Sequence, residues 1–263
     1  MNTCIVIPYH NHPGAIGQVV AALRPLGLPC RIVDDGSDEH SQAVLAELVS
    51  RENGVSRENE DARGNWVTLQ RLVVNQGKGA AVMAGCDAAL ASGFTHALQI
   101  DADGQHDVGD VPRLLELSRQ RRSALISGQA VYDDSVPRSR LYGRYITHFW
   151  VWVNTLSLEI RDSMCGLRIY PLAQSCAIWR KHHIGRRMDF DTEIMVRLSW
   201  SGVAVINVPT RVTYPLDGVS HFKMLRDNLF ISAMHTRLFF GMLWRLPMLL
   251  GRRIARRQSE AET

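Results

Sequence analysis

Two aspartates, one residue apart at the end of an apolar run, are the first candidates for chemistry in this sequence. The run ends in Asp101-Ala102-Asp103, and Gln105 follows two positions later. Alternate side chains of an extended strand point the same way, so both carboxylates can reach one hard cation, to which Gln105 adds a neutral oxygen. A diphosphate is a natural partner of such an ion. Taken alone, the motif also fits an acidic strand end that caps the next helix.

Two further polar clusters precede this motif. Asp34 and Asp35 end an earlier apolar run and offer acceptors for the hydrogen-bond donors of a base or a ribose. Lys78, in the glycine-containing segment 75–79, offers a positive charge near phosphate. A receiver domain also uses paired acids, but this chain is too long for one, and its second acidic cluster is itself paired. An ordinary strand-to-helix turn is the other interpretation of segment 75–79.

The elements that would position these residues alternate between strand and helix. Apolar runs and helical spacing predict strands at 4–8, 31–37, 67–74, 97–100, 124–127 and 203–209, and helices at 15–26, 41–49, 80–91, 110–121 and 142–158. This order predicts an α/β fold with a mainly parallel sheet flanked by helices. Ligands of such sheets bind beyond the carboxyl ends of the strands, where both acidic pairs lie. Residues 50–65 are predicted to form a solvated loop.

Composition indicates a large folded domain. The chain has 263 residues, 46% of them hydrophobic, which is enough for one substantial core. No amino-terminal stretch reads as a leader and no run reaches the roughly 18 apolar residues of a membrane span, so we expect a cytoplasmic catalytic portion. The five cysteines are an odd number without metal-ligand spacing, and we expect them to be reduced.

Positive charge and apolar residues are mixed at the carboxyl end. Arg245, Arg252, Arg253, Arg256 and Arg257 are interspersed with leucine, methionine and isoleucine. We expect residues 223–263 to form an amphipathic helical segment that lies on anionic lipid at the inner face of the cell membrane, after a domain at 1–222. A packed terminal helix with a solvated basic tail is the alternative. Nucleic-acid binding is not favoured, because a basic stretch alone supplies no element that reads bases.

The order and spacing of six segments resemble those of a known family. The segments are 5–11, 33–38, 75–80, 101–106, 162–168 and 190–194. Together they resemble family-2 glycosyltransferases of the GT-A fold, in particular the branch of dolichyl-phosphate mannosyltransferase and related polyprenyl-phosphate sugar transferases. The resemblance spans roughly residues 3–222.

The resemblance implies a donor site for a UDP- or GDP-sugar. It assigns donor binding to Pro8, Tyr9, Asn11, Asp34, Asp35, Lys78, Asp101, Ala102 and Asp103. It also places Mg²⁺ or Mn²⁺ on Asp101, Asp103 and Gln105, where the ion neutralises charge on the leaving nucleoside diphosphate. The expected reaction is an inverting transfer by direct displacement.

The acceptor side follows from the same resemblance. Its expected residues are Arg138, Arg140, Arg144, Arg168, Glu193 and His221, with Asp191 as the candidate general base and Asp162 beside it. The chain departs from the family pattern at Pro215 and His221, where an arginine and a lysine are typical. Two cationic phosphate ligands are therefore missing or weakened, which favours a hydroxyl over a phosphate on the acceptor.

We therefore expect a metal-dependent glycosyltransferase with a lipid or lipid-linked acceptor at a membrane. An aromatic run from Tyr142 to Trp152 can line a groove for such an acceptor, although core packing is the ordinary role of such a stripe. Three alternatives stay open: a polyprenyl-phosphate sugar synthase, a sugar nucleotidyltransferase and a nucleotide-binding protein without catalysis.

Overall fold

The computed structural model describes residues 1–54, 65–132, 138–213 and 224–261, and a seven-stranded sheet is its centre. The strands are β1 (Thr3–Tyr9), β2 (Cys30–Asp35), β3 (Val67–Leu72), β4 (His96–Gln99), β5 (Leu125–Tyr132), β6 (Arg168–Pro171) and β7 (Val205–Val212). The helices are α1 (Pro13–Leu23), α2 (Glu39–Gly54), α3 (Lys78–Ala91), α4 (Val111–Gln120), α5 (Arg138–Thr155), α6 (Leu172–Lys181), α7 (Phe190–Trp200) and α8 (Met224–Ala261).

The sheet is mostly parallel, as the alternation of elements predicts. Its strand order is β3-β2-β1-β4-β6-β5-β7. Strands β1 to β4 pair in parallel, and β5 pairs in parallel with β7. Only β6 runs against its neighbours β4 and β5 within the described residues. The carboxyl ends of β1, β2 and β4 therefore meet at one edge, where the acidic pairs lie.

Alternate residues of the central strands build two apolar layers. In β1, Cys4 and Val6 face a core formed with α3, α5, α6, α7 and α8, whereas Ile5 and Ile7 face a core formed with α1, α2 and α4. Every residue of β1 is buried, as expected of a strand covered on both faces. The five cysteines are buried and form no disulfide, and their reduced state stays a prediction.

Several element predictions differ from the structure. Helix α2 continues to Gly54, so the predicted loop at 50–65 begins too early; residues 55–64 lie outside the described part. Strand β6 and helix α6 have no counterpart in the sequence-based prediction. The strand has only four residues, too few for a periodic pattern, and the helix follows it without a turn signal.

The carboxyl-terminal segment is one long helix that packs on the domain. Helix α8 places Met234, Leu238, Met242 and Leu249 in the core that it shares with α5 and α7. Its remaining apolar residues include several that are exposed. Among the described helices, none is long and apolar enough to cross a membrane.

Close packing of α3 on the sheet depends on a glycine. A Cβ atom built on Gly85 would lie 2.6 Å from Val6 Cγ1 and 2.9 Å from Val33 Cγ2, closer than real side chains approach. Helix α3 can therefore approach β1 and β2 only without a side chain at this position. The distance of α3 from the sheet in turn determines how close Lys78, the first residue of α3, lies to the strand ends.

The substitution Gly85→Ala tests this packing against Gly17→Ala, a change at a helical glycine with ordinary space around it. We expect Gly85→Ala to lower the free energy of unfolding by about 1–3 kcal/mol, because the added methyl overpacks the core. Gly17→Ala meets only Arg51 at 3.8 Å and should be neutral or stabilising by up to about 1 kcal/mol. Urea unfolding of both variants measures the difference, and equal effects would contradict the account.

Candidate active site

Lys78 joins two acidic segments at the centre of the site. Its Nζ lies 2.9 Å from Asp101 Oδ2 and 2.9 Å from Asp191 Oδ2. Asp101 follows β4, Asp191 lies in the first turn of α7, and Lys78 begins α3. Lys78, which the sequence assigns to the donor phosphate, thus forms ion pairs with both a predicted donor acid, Asp101, and a predicted acceptor acid, Asp191.

The charges at this bridge are strongly coupled. Burial alone would lower the pKa of Lys78, but the charges of Asp101 and Asp191 hold it above its ordinary value. Burial alone would raise the pKa of Asp101, but Lys78 and His106 hold it well below its usual range. The pKa of Asp103 is raised, first by its burial and then by the charge of Asp101. The carboxylates of Asp101 and Asp103 therefore repel each other, and a cation between them would relieve that repulsion.

The acids at 101 and 103 fit a divalent cation. Asp101 Oδ1 is buried and accepts no hydrogen bond, and Asp103 Oδ1 accepts a hydrogen bond of 3.0 Å from the backbone amide of Gln105. Carboxylate and amide oxygens are the donors that Mg²⁺ and Mn²⁺ prefer. Within the described part of the chain, no three His, Cys, Asp or Glu side chains form a closed metal cage. Such an ion would need further ligands, which a diphosphate can supply.

The two acids that end β2 have different roles. Asp35 accepts hydrogen bonds from the backbone amides of Gln76 and Gly77, both 2.7 Å long, and so fixes the loop before α3. Asp34 accepts one bond from the Ser37 amide at 3.0 Å through Oδ1. Asp34 Oδ2 is buried and accepts no hydrogen bond, although Arg71 Nε lies 3.9 Å away. Of the two acids, Asp34 is therefore the one that keeps an acceptor oxygen without a hydrogen bond.

The other predicted donor residues line the same strand ends. Pro8 and Tyr9 end β1 beside Val33 and Asp34 in the parallel ladder, and both are buried. Asn11 has a left-handed backbone with φ of 52°. Its Oδ1 accepts from the Asp38 amide at 3.0 Å, which ties the loops after β1 and β2 together. The structure thus brings the predicted nucleoside residues to one place.

Asp162 is held by many donors. The Arg144 guanidinium lies 2.6 and 2.7 Å from its carboxylate oxygens, and the amides of Ala130, Met164 and Cys165 donate to it at 2.9–3.1 Å. Burial alone would raise the pKa of Asp162, but the nearby His148 ring, the charge of Arg144 and these amides hold it below its usual range. Asp162 therefore fixes Arg144 and the chain around it.

Asp191 has a cation at each carboxylate oxygen. Lys78 lies at Oδ2, and Arg168 Nη1 lies 3.4 Å from Oδ1. Arg168 has no exposed surface, and its guanidinium donates to the carbonyls of Cys165, Ser163 and Asp191 at 2.7–2.8 Å. The structure therefore places Arg168 beneath the site as a support and does not bring it to an acceptor.

Glu193 is likewise an internal residue. Its carboxylate has no exposed surface and pairs with Arg197 at 2.7 Å and with Arg237 of α8 at 3.0 Å. It also accepts a hydrogen bond of 2.9 Å from the Gly185 amide. Glu193 thus joins α7, α8 and the loop before α7, and an acceptor cannot reach it in this arrangement.

The remaining acceptor predictions are not tested by these contacts. Arg138 and Arg140 lie in the first turn of α5, but their side chains are outside the described part of the structure. His221, together with Pro215, lies in segment 214–223, which is also outside it. Their assignment to the acceptor stays a prediction.

Two contacts at the site were missed from the sequence. The backbone at Gly166 approaches the Asp101 carboxylate so closely that a Cβ atom there would collide with it. His148 of α5 lies with Nε2 3.6 Å from Asp162 Oδ1. The contact at Gly166 could have been suspected because a glycine follows an acid within segment 162–168. The four-residue spacing of His148 from Arg144 on one helix face was the signal for the second.

Comparison with known proteins decides the family. The profile described as "Glycosyl transferase family 2" matches residues 4–185, which is more than half of the chain. The chain belongs to glycosyltransferase family 2. This confirms the resemblance stated from the sequence, and with it the expectation of an enzyme.

The relatives of this glycosyltransferase include proteins with functional names. An undecaprenyl-phosphate 4-deoxy-4-formamido-L-arabinose transferase of Pectobacterium atrosepticum is 32% identical over 187 residues, which are 69% of this chain and 52% of the relative. The chain thus spans about half the length of that relative. A polyprenol monophosphomannose synthase of Mycolicibacterium smegmatis is 26% identical over 242 residues, covering 86% of this chain and 82% of the relative.

A solved structure confirms the predicted GT-A fold of this glycosyltransferase. It is glucosyl-3-phosphoglycerate synthase from Mycobacterium tuberculosis in complex with Mn²⁺ and uridine-diphosphate-glucose. The TM-score is 0.60 at 15% identity, over 93% of this chain and 78% of that one. At this identity the likeness concerns the fold.

Asp162→Asn tests the structural role of the Asp162 carboxylate. We expect a loss of about 3–5 kcal/mol in the free energy of unfolding at neutral pH, because the change removes a buried negative charge from among the donors that surround it, the Arg144 guanidinium included. The folded-state pKa is depressed, so this stabilisation is present above the ordinary carboxyl pKa and is lost as pH falls below it toward the depressed value.

The matched control is Asp87→Asn, which breaks the exposed 2.7 Å pair with Arg180. Because solvent screens that pair, we expect a loss under about 1 kcal/mol. Urea unfolding at neutral pH and at acidic pH gives both numbers. An Asp162→Asn loss that matches the control, or that does not shrink in acid, would refute this role.

Proposed function

We propose that this glycosyltransferase moves a sugar from a UDP- or GDP-sugar to the phosphate of a membrane polyprenyl phosphate. The main support for the proposal is that both acids expected to act as bases, Asp162 and Asp191, form ion pairs with basic residues. Asp162 is paired with Arg144, and Asp191 lies between Lys78 and Arg168. Both acids are engaged as counter-ions, which suits an acceptor that needs no base.

The chemistry of the acceptor explains this choice. A phosphate monoester is already ionised near neutral pH and attacks without losing a proton, whereas a hydroxyl must give up a proton during attack. Cations close to the acceptor are therefore more useful than a free carboxylate. The names of the two relatives, an undecaprenyl-phosphate transferase and a polyprenol monophosphomannose synthase, support the same class of acceptor.

On the donor side, we propose that Asp34 binds the nucleoside and that Asp101, Asp103 and Gln105 hold Mg²⁺ or Mn²⁺. The ion supplies Lewis-acid stabilisation of the leaving nucleoside diphosphate. The buried Oδ1 of Asp101, which accepts no hydrogen bond, and the raised pKa of Asp103, which burial and then the charge of Asp101 cause, support this assignment. Lys78 holds Asp101 ionised and oriented. Direct displacement by the acceptor phosphate would invert the anomeric centre.

We propose further that α5 and α8 rest together on the membrane. Ring contacts run from Phe149 through Trp150 and Phe239 to Phe240, with centroids 5.9–6.2 Å apart, so the two helices share one apolar surface. The apolar face is defined by exposed residues of both helices: Tyr145, Ile146, Phe149, Phe240, Leu243 and Trp244. Exposed aromatic and aliphatic residues at helical spacing suit the interfacial region of a bilayer.

This face lies next to the proposed acceptor side. Arg144, which holds Asp162, is adjacent in the chain to Tyr145 of the apolar face. A polyprenyl chain in the bilayer would thus present its phosphate near α5. Because the donors are nucleotide sugars, we place the face on the cytoplasmic side of the cell membrane.

A hydroxyl acceptor is the second candidate, and one observation favours it. Asp191 Oδ1 is buried yet accepts no hydrogen bond, so it can receive a proton from an attacking hydroxyl. The two candidates differ in what the variant Asp191→Asn does. The amide keeps an oxygen for Lys78 but cannot act as a base.

The acceptor experiment compares polyprenyl phosphate with the matching polyprenol, using radiolabelled UDP- and GDP-sugars and Mg²⁺ or Mn²⁺. We expect transfer to the phosphate and none to the alcohol. In Asp191→Asn, we expect kcat to fall by less than about tenfold, because a phosphate acceptor needs no general base. Removal of a general base costs about 100-fold or more. Transfer to the alcohol, with a loss of that larger size, would establish the hydroxyl candidate instead.

The membrane experiment is co-sedimentation with vesicles of phosphatidylcholine and phosphatidylglycerol. Replacing Phe240 and Trp244 together with serine should weaken vesicle binding by about tenfold or more, since two large apolar side chains no longer enter the interface. Leu158→Ser is the control, because Leu158 is 71% exposed but lies on neither helix. Equal binding by the wild type and the double variant would contradict the proposed face.

A further inference from the structure

The arginines at 186 and 187 differ from the other cations around the site. Lys78, Arg144 and Arg168 each lie beside a carboxylate, and Arg197 and Arg237 pair with Glu193. Arg186 and Arg187 pair with no carboxylate within residues 1–54, 65–132, 138–213 and 224–261. Arg186 is exposed and Arg187 is partly exposed. Their positive charge is therefore available to an anion.

Both guanidinium groups are directed onto the loop that precedes α3. Arg187 Nη1 donates to Asn75 Oδ1 at 3.0 Å, and Arg186 Nη1 donates to Gln76 Oε1 at 3.1 Å. Both partners are neutral amides, so they orient the guanidinium groups without cancelling their charge. The orientation holds although Asn75 and Arg187 are 112 positions apart in the chain.

The backbone fixes this contact as well. The carbonyl of Arg186 accepts a hydrogen bond of 3.1 Å from the Ala80 amide in the first turn of α3. Gly77 has a φ of 104°, and a Cβ atom there would collide with the Arg186 carbonyl and with Arg187 Cγ. Asp189 holds the other side of the loop by accepting from the Arg187 amide at 3.1 Å. The two arginines are thus built into the site.

Their position lies between the nucleoside pocket and the Lys78 bridge. Asp35, next to Asp34 of the nucleoside pocket, accepts from the amides of Gln76 and Gly77. Lys78 follows directly in the chain and reaches Asp101. Segment 75–77, to which both arginines are bonded, is therefore the link between the two halves of the donor site.

We propose that Arg186 and Arg187 form a phosphoryl-binding arm of the active site. A planar guanidinium matches the oxygens of a phosphoryl group, and two oriented, unneutralised guanidiniums make a strong anion site. The phosphoryl group belongs either to the donor diphosphate or to the acceptor phosphate. This inference rests on the proposed function and deepens it, because it adds two substrate-binding residues that segment 190–194 and the earlier motifs do not contain.

The first measurement is the affinity of wild-type protein for UDP and GDP in the presence of Mg²⁺, by isothermal titration calorimetry. The variants are Arg186→Gln, Arg187→Gln and both together. Arg121→Gln, an exposed arginine at the end of α4, is the control. If the arm holds the donor diphosphate, the double variant should bind about tenfold or more weakly, and the control should bind like the wild type.

The second measurement distinguishes the acceptor. If the arm holds the acceptor phosphate, nucleotide affinity stays unchanged, and the KM for polyprenyl phosphate rises about tenfold or more in the double variant. Unchanged nucleotide affinity together with an unchanged acceptor KM would overturn the inference. A wild type that binds neither nucleotide, with or without Mg²⁺, would instead refute the proposed function on which the inference rests.

Charge-conserving variants separate binding from bracing. Arg187→Lys keeps the positive charge but cannot reproduce the paired contacts with Asn75, and Asn75→Ala removes the brace while keeping the arginine. If the charge binds a phosphoryl group, both variants should lose less affinity than Arg187→Gln. If both lose as much as Arg187→Gln, the arginine only braces the loop and the inference fails. Thermal unfolding of each variant confirms that the proteins compared are folded.

Discussion

The ammonium group of Lys78 between Asp101 and Asp191 is the constraint on which the rest of the site depends. For this contact to form, β4 must end, and α3 and α7 must begin, at one point. Small residues make the approach possible, because Gly85 lets α3 lie close on β1 and β2, and a Cβ atom at Gly79 would collide with Phe190. The ion pairs then keep Lys78 and Asp101 charged despite their burial. Removing the bridge would leave the buried Asp191 and the partly buried Asp101 without their shared cation, which is costly where water is largely excluded.

The bridge also divides the site by charge. On the proposed donor side, Asp34 Oδ2 and Asp101 Oδ1 are acceptors without a hydrogen-bonded partner, and Asp103 lies in the field of the Asp101 charge, so this side suits a nucleoside and a divalent ion. On the other side, the acids at 162 and 191 are already matched by cations. This distribution of charge suits a leaving group that binds a metal ion and a nucleophile that is already an anion. The membrane role proposed for α5 and α8 agrees with this distribution, because the phosphate of a polyprenyl phosphate lies at the surface of a bilayer.

The sequence predicted the strand ends well and the contacts between them poorly. Apolar runs that end in Asp34-Asp35 and Asp101-Ala102-Asp103 located the carboxyl edge of the sheet, because burial on both faces leaves a clear local pattern. The short antiparallel strand β6 was missed, since four residues show no period. The partners of Lys78 and the burial of Arg168 and Glu193 could not be predicted from the sequence. Each depends on contacts between segments that are distant in the chain and that only the fold brings together. Arg168 and Glu193 looked like acceptor ligands for that reason, whereas the structure uses both as internal supports.

The most direct test of the account is metal-dependent release of nucleoside diphosphate during sugar transfer to polyprenyl phosphate. With Mg²⁺ or Mn²⁺, the wild type should release one nucleoside diphosphate for each sugar transferred, and a chelator should stop both. Asp101→Asn and Asp103→Asn should each lower the rate by about 100-fold or more, because each removes a proposed ligand of the ion. Asp107→Asn, at an exposed acid in the same loop, should leave the rate close to that of the wild type. Transfer that persists after chelation, or an equal loss in Asp107→Asn, would contradict the central claim that Asp101 and Asp103 hold the ion of the donor site.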